Sequence, residues 1–378
     1  MARIKHIEVH RIRIPLDQPF RIAVGVIRQV ETVAVRIVDD EQVEGWGEAA
    51  PHPHILCSTP DTTCAALTAI APQLLGKDPQ RLVDVLAASE IAIFGNSAAK
   101  AAVDIALHDL LCRRVGLPLW QFLGGADPRP IETLYSLGIG APEDVAEAAR
   151  LRVGEGFRRI KVKVGAGADQ DVKTVTAVRN VVGPLIELTV DANQGWSWQE
   201  AVSALTAMEP LDVAYAEQPV GAEDLRGMSW VRSRTAIPIM ADESVHSPED
   251  AMRVALAGAA DYINIKLMKS GGLHRAAKIA SIAEAAAVPC MVGAMSETNL
   301  AITAAVHLAM AHPNIRFADL EVGTRESFRL FDRGGVRLED GCIRLADEEA
   351  PGLGLSAPVR ERLGQPTMVY TSRKGDGQ

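Results

Sequence analysis

Five charged residues, Lys163, Asp191, Glu217, Asp242 and Lys266, each close a short run of β-branched and apolar residues and follow one another at intervals of 28, 26, 25 and 24 residues. An interval of that size holds one strand, one helix and their connections, so the spacing calls for a repeated strand-helix unit. The full series of runs is YSLGI, RIKVKV, LTVD, VAYAE, PIMAD, YINIK, PCMVG and RFADL, eight strands separated by alanine-rich helical stretches from about residue 131 onward. This is the sequence form of a parallel α/β barrel. A doubly wound open sheet alternates in the same way, but no glycine-rich phosphate turn follows a first strand here.

A chain of 378 residues has room for that barrel and one smaller domain. Residues 1–125 read as an α+β capping domain: alternation over 7–14 and 32–38 predicts strands, and helical spacing over 97–115 predicts a helix. The segments 19–27 and 49–59, rich in Pro, Gly and His, read as loops. The barrel is assigned to 126–321 and a C-terminal segment to 322–378. In that segment GGVRLEDGCIRL predicts a hairpin returning to the capping domain, and SRKGDGQ a solvated, disordered tail.

Hydrophobic residues make up 48% and charged residues 23%, enough for a large core with a soluble surface. A formal charge of -9 gives no electrostatic reason for nucleic acid or an anionic membrane as partner. No stretch approaches the roughly 18 consecutive apolar residues of a membrane span, and the first residues lack a secretory core. The five cysteines are scattered without a CxxC or Cys/His cluster, which fits a reducing cytoplasm.

In barrels of this kind the working groups stand at the C-terminal ends of the strands. Asp191, Glu217 and Asp242 end three successive strands. Singly each could be a helix N-cap, but together on neighbouring strands they would repel unless a cation lay between them. Hard oxygen ligands suit Mg²⁺, with Mn²⁺ also possible. Asn193 could hold a ligand or a metal-bound water. Lys161 and Lys163, two apart on one strand, face the same way, and Lys266 ends the strand after the last acid. Each lysine could simply reach solvent; placed on either side of the acids they become opposed bases. Removing a proton next to a carboxylate needs such a base and a stabilised enolate. Lys161 and the metal would lower the pKa of Lys163 toward that task.

These motifs resemble the muconate-lactonising branch of the enolase superfamily, most closely its dipeptide epimerases of the L-Ala-D/L-Xaa type. The resemblance runs from IPLDQPF and GWGEAAP through DANQGW, EQPV, IMADESV, INIKLMKSGG and MVGAMSET to ITAAVHLA. It implies a (β/α)7β barrel with an α+β cap, Mg²⁺ on Asp191, Glu217 and Asp242, and Lys163 and Lys266 as the acid/base pair. The reaction implied is inversion of the α-carbon of the C-terminal residue of an L,L-dipeptide, and a homo-oligomer is expected. The alternatives are other reactions of the branch: N-acyl amino acid racemase, o-succinylbenzoate synthase or muconate cycloisomerase. Mandelate-racemase relatives carry a His on the seventh strand, and MVGAMSE has none.

Dipeptide epimerases typically bind the substrate ammonium with Asp-x-Asp on the eighth strand, where this chain has Asp319-Leu320-Glu321. Two carboxylates two apart on a strand would still face one way. Ser136, Met295 and Ser296 match positions that line the pocket in such enzymes. The cap segments 20–27 and 51–59 are expected to close the mouth and select the substrate. Members choosing an acidic second residue tend to place a basic residue where Gly25 stands, so a non-acidic side chain is expected at the inverted position.

Overall fold

The computed structural model describes residues 2–372. The chain begins with two long antiparallel strands, β1 (Ile4–Ile22) and β2 (Gly25–Asp39), followed by β3 (Glu44–Ala49). Both faces of β1 find cover along its length: Ile7 and Val9 are buried on one face and Ile12 and Ile14 on the other, while Arg13 stays in solvent. Three helices follow, α1 (Pro60–Leu74), α2 (Leu82–Ala92) and α3 (Ser97–Val115). Helix α3 is buried on every side because it lies between the cap sheet and the barrel. Its approach to β3 depends on glycine: a Cβ on Gly47 would fall 1.9 Å from the Ala102 carbonyl oxygen.

A short α4 (Leu119–Phe122) and β4 (Ile131–Glu132) lead into the barrel. Its units run β5 (Tyr135–Leu137), α5 (Pro142–Gly154), β6 (Arg159–Lys163), α6 (Ala168–Val182), β7 (Glu187–Asp191), α7 (Trp198–Met208), β8 (Val213–Glu217) and α8 (Leu225–Arg232). They continue with β9 (Ile239–Ala241), α9 (Pro248–Leu256), β10 (Tyr262–Lys266), α10 (Leu267–Ser270), α11 (Leu273–Ala285), β11 (Cys290–Gly293), α12 (Asn299–Ala311) and β12 (Ile315–Asp319). The eight strands β5 to β12 form one parallel sheet in sequence order. It closes where Leu134 N–H donates to the Ala318 carbonyl at 3.1 Å and Thr133 bridges Ala318. This is the (β/α)7β barrel with its α+β cap. Tyr215, Met240 and Met291 fill part of its interior.

Several expectations change. Residues 19–27 are not a loop: β1 and β2 pair almost to their tips, Ile22 opposite Gly25, across an irregularity between Pro15 and Phe20. Pro and Gly marked a bulge and a hairpin end rather than a break in pairing. The expected C-terminal hairpin forms, from β14 (Val336–Glu339) and β15 (Cys342–Leu345), after β13 (Phe331–Arg333). It does not return to the cap, because β15 pairs with β4 beneath the barrel. After β16 (Ser356–Pro358), which pairs with β13, the strand that does return is β17 (Met368–Thr371), on the free edge of β1. Of the expected solvated tail, residues 373–378 lie outside the described residues.

Among the described residues no helix is long and apolar enough to cross a membrane.

Candidate active site

The strand register brings the sequence-selected residues to one end of the barrel. Lys163 lies opposite Asp191, and Asp191 opposite Glu217; Asp242 follows directly after β9. All three carboxylates are fully buried. Each meets an ammonium group: Lys163 Nζ is 2.5 Å from Asp191 Oδ2, Lys161 Nζ 3.0 Å from Glu217 Oε2, and Lys266 Nζ 2.7 Å from Asp242 Oδ2. Lys161 also contacts Asp319 and lies 3.6 Å from Asp191. The acids thus form a row, with Lys163 at one end and Lys266 at the other.

Burial alone would raise every acid in this row. Lys163 and Lys161 overcome it at Asp191, and Lys266 and Lys269 overcome it at Asp242, so both fall below the ordinary carboxylate range. Glu217 is pushed up to about 7 by burial and by Asp191. Burial opposes the charge on Lys161 and Lys266 as well, yet carboxylates lift both above the ordinary lysine range: Asp319 and Glu217 for Lys161, Asp242 for Lys266.

As the side chains stand, each acid is drawn to a lysine, and among the described residues no three acidic, His or Cys groups converge on one point. The donor set nevertheless fits a hard divalent cation. Three fully buried carboxylates stand together on adjacent strand ends, close enough that Asp191 raises Glu217. Beside them, Asn193 Oδ1 is buried without a hydrogen-bond partner, while its backbone N–H donates to Asp191 Oδ1 at 2.9 Å. Oxygen ligands of this kind match Mg²⁺.

Several residues of the site were missed by sequence reasoning. Lys269 is buried, with Nζ 2.6 Å from Asp242 Oδ1 and donating to the Asn264 carbonyl at 2.9 Å. Asn264 donates from Nδ2 to Glu217 Oε1 at 2.7 Å. Glu243 accepts from Asn193 Nδ2 at 3.0 Å and is raised to about 8 by burial and by Asp242. Asn264 was findable: it stands two residues before Lys266 on the same strand and so shares its inward face. Lys269 and Glu243 carried no signal beyond lying beside Lys266 and Asp242.

The lysines open into a cavity of about 630 Å³, also lined by Ser136, Met295, Ser296, Asp319, Glu321 and, from the cap, Phe20 and Ile27. Ser136 Oγ donates to Asp319 Oδ1 at 3.2 Å. The expected strand pair of carboxylates is not one. The strand ends at Asp319, Leu320 turns with ψ 8°, and Glu321 opens a 3₁₀ turn where it pairs with Arg325 at 3.0 Å. Glu321 faces inward all the same, only 5% exposed. Gly25 lines an adjoining cavity of about 730 Å³ with His52, His54 and Arg28, and this cavity meets the first at Ile27, Val30, Met295 and Ser296. Burial and the lysine charges push His52 down to about 4, leaving a neutral imidazole there.

The enolase C-terminal domain-like family model matches residues 143–361, and the mandelate racemase / muconate lactonizing enzyme N-terminal domain model matches residues 5–124. An L-Ala-D/L-Glu epimerase of Bacillus subtilis is 40% identical over 93% of this chain and 96% of its own length. A hydrophobic dipeptide epimerase of Enterococcus faecalis is 40% identical over 94% of this chain and 99% of its own. A substrate-liganded structure of the Bacillus subtilis protein aligns at a TM-score of 0.91, with 40% identity, 94% of this chain and 99% of that one covered. A dipeptide epimerase from Enterococcus faecalis complexed with Mg and the dipeptide L-Leu-L-Tyr aligns at 0.90, with 38% identity and the same coverage.

Proposed function

The chain belongs to the mandelate racemase / muconate lactonizing enzyme family, and on that premise we propose that it is a Mg²⁺-dependent dipeptide epimerase. It inverts the α-carbon of the C-terminal residue of an L,L-dipeptide by a 1,1-proton transfer. The observation that carries this reading is the placement of Lys163 and Lys266 at opposite ends of one row of buried carboxylates, both opening into one cavity.

Asp191, Glu217 and Asp242 would hold the cation, and Asn193 would support it from beside Asp191. Bound there, a divalent cation supplies Lewis-acid stabilisation for the charge that develops on the substrate carboxylate; Mn²⁺ suits the same oxygens. One lysine, as the free amine, takes the α-proton at Nζ. The other, as the ammonium, delivers its own proton to the opposite face, so the proton count is unchanged and the centre inverts. Lys161, charged and buried, stabilises the enolate oxygen. At the far end Asp319 and Glu321 accept from the substrate ammonium, while Ser136, Met295 and Ser296 border the bound dipeptide.

Relatives of comparable similarity are named for acidic, hydrophobic and basic dipeptides and for an N-succinyl amino acid, so specificity must come from the pocket wall. Gly25 and the apolar neighbours Ile22, Ala23, Val24 and Val26 support a non-acidic residue at the inverted position. The five cysteines, all unpaired, suit a reducing cytoplasm. Ile91 and Phe94, 86% and 98% exposed, suit cover by a second copy. Incubating the Mg²⁺-loaded protein with an L,L-dipeptide library in D₂O, read by mass spectrometry and chiral separation, tests the function. Inverted products one mass unit heavier are expected; absence of exchange with every dipeptide would overturn it.

A further inference from the structure

We infer that Arg325 is a positioning residue for substrate amino-group recognition, holding Glu321 so that one carboxylate oxygen faces the cavity beside Asp319. The inference rests on the dipeptide reading and adds to it a residue that no motif singled out. Glu321 has left the strand for a 3₁₀ turn and carries one more methylene than aspartate, so neither strand geometry nor side-chain length places its carboxylate. Arg325 does, from four residues on. Its Nη2 lies 3.0 Å from Glu321 Oε1, and its guanidinium lies 5.3 Å from the centre of the Tyr135 ring. Tyr135 is itself fixed on β5, so Glu321 is tied through Arg325 to the barrel wall.

The other oxygen, Glu321 Oε2, is buried without a hydrogen-bond partner. A buried carboxylate oxygen left unpaired is costly, and a donor arriving with the ligand removes that cost. Asp319, two residues away on the same cavity, makes the matching partner a cationic group with several N–H donors. A free α-ammonium has that chemistry, and an acylated nitrogen does not.

The test is steady-state kinetics on the L,L-dipeptide that the unaltered protein turns over best, with Arg325→Met, Arg325→Lys, Glu321→Gln and the Arg325→Met/Glu321→Gln double variant. Thermal melting confirms that each is folded. Arg325→Met is expected to raise KM by about tenfold or more, with kcat changed far less, and Arg325→Lys to recover part of the loss. In the Glu321→Gln background, Arg325→Met should add little, because it acts through Glu321. If Arg325→Met leaves KM unchanged, or if the two losses multiply, the inference is overturned while the epimerase reading stands. If the unaltered protein turns over N-acylated amino acids and no free dipeptide, the epimerase reading falls, and this inference with it.

Discussion

Lys163 and Lys266 each do two things in this chain: they balance buried carboxylates, and they open onto the cavity where a substrate α-carbon would lie. In the proposed mechanism, removing either side chain removes one of the two proton-transfer groups. Lys163→Ala and Lys266→Ala are therefore each expected to lower epimerisation by about 10²- to 10⁴-fold or more, measured as D-residue formation by chiral chromatography. Asp319→Asn keeps the shape but removes the charge that pairs with Lys161 and that is proposed to meet the substrate ammonium. It should cripple turnover of free dipeptides; unchanged activity would show that the amino group is recognised elsewhere. At this scale the residues ending strands were readable from the sequence, because each strand end is a chemical position in a barrel. Glu321 was only half readable. Its side chain faces the pocket, but the turn at Leu320 that takes it off the strand depends on the chain that follows. Arg325 and Lys269 were not readable, since an arginine on a turn and a lysine on a short helix are ordinarily solvated.

Among the elements, the cap hairpin formed by β1 and β2 brings Phe20 and Ile27 to the wall of the cavity. Its tip rests on the barrel mouth, where Ile139 N–H donates to the Arg21 carbonyl at 2.9 Å. A Cβ on Gly138 would stand 3.1 Å from that same oxygen. Gly138→Ala should push the tip outward and raise KM several-fold with a smaller effect on kcat. An unchanged KM would mean that the hairpin does not shape the bound state. Helix α12 supplies a different test. His307, fully buried on it, accepts from the Trp120 backbone N–H through Nδ1 at 3.0 Å, and burial lowers its pKa to about 3. The imidazole is neutral in the folded protein, and only the unfolded chain, with its value near 6.5, takes a proton on mild acidification. Its contribution is therefore complete above pH 6.5 and is lost as pH falls toward 3, at about 1.4 kcal/mol per unit. His307→Asn should flatten the melting temperature between pH 6.5 and 4.5; an equally steep decline would place the acid sensitivity elsewhere. The sequence located these elements well where periodicity was long, as in α3 and the eight barrel strands. It misjudged the partner of the β14–β15 hairpin, because a hairpin pattern says nothing about which distant edge it joins.

For the molecule as a whole, cap and barrel share one continuous core, and the site's charge balance is set by groups from five barrel strands, β6, β7, β8, β10 and β12, with Asp242 after β9 and Lys269 on α10. A cation taken up by Asp191, Glu217 and Asp242 would bind the folded chain and not the unfolded one, adding about 2.7 kcal/mol at a concentration a hundredfold above its Kd. Mg²⁺ added to chelator-treated protein should raise its melting temperature by several degrees, and Asp242→Asn should remove that rise. A melting temperature indifferent to Mg²⁺ would argue against the cation site without reference to activity. The barrel class and its approximate strand limits followed from the regular intervals between charged strand ends, which reflect a local repeat. What the intervals could not carry is the state of the site, in which the lysines lie against the acids. The most direct test of two opposed lysines working on one α-carbon is turnover of the preferred L,L-dipeptide in D₂O with Mg²⁺, comparing the unaltered protein with Lys163→Ala and Lys266→Ala by NMR of the α-proton and chiral analysis. Inversion with solvent deuterium at the α-carbon is expected for the unaltered protein and loss of inversion for both variants; undiminished inversion in either variant would rule out the two-lysine mechanism.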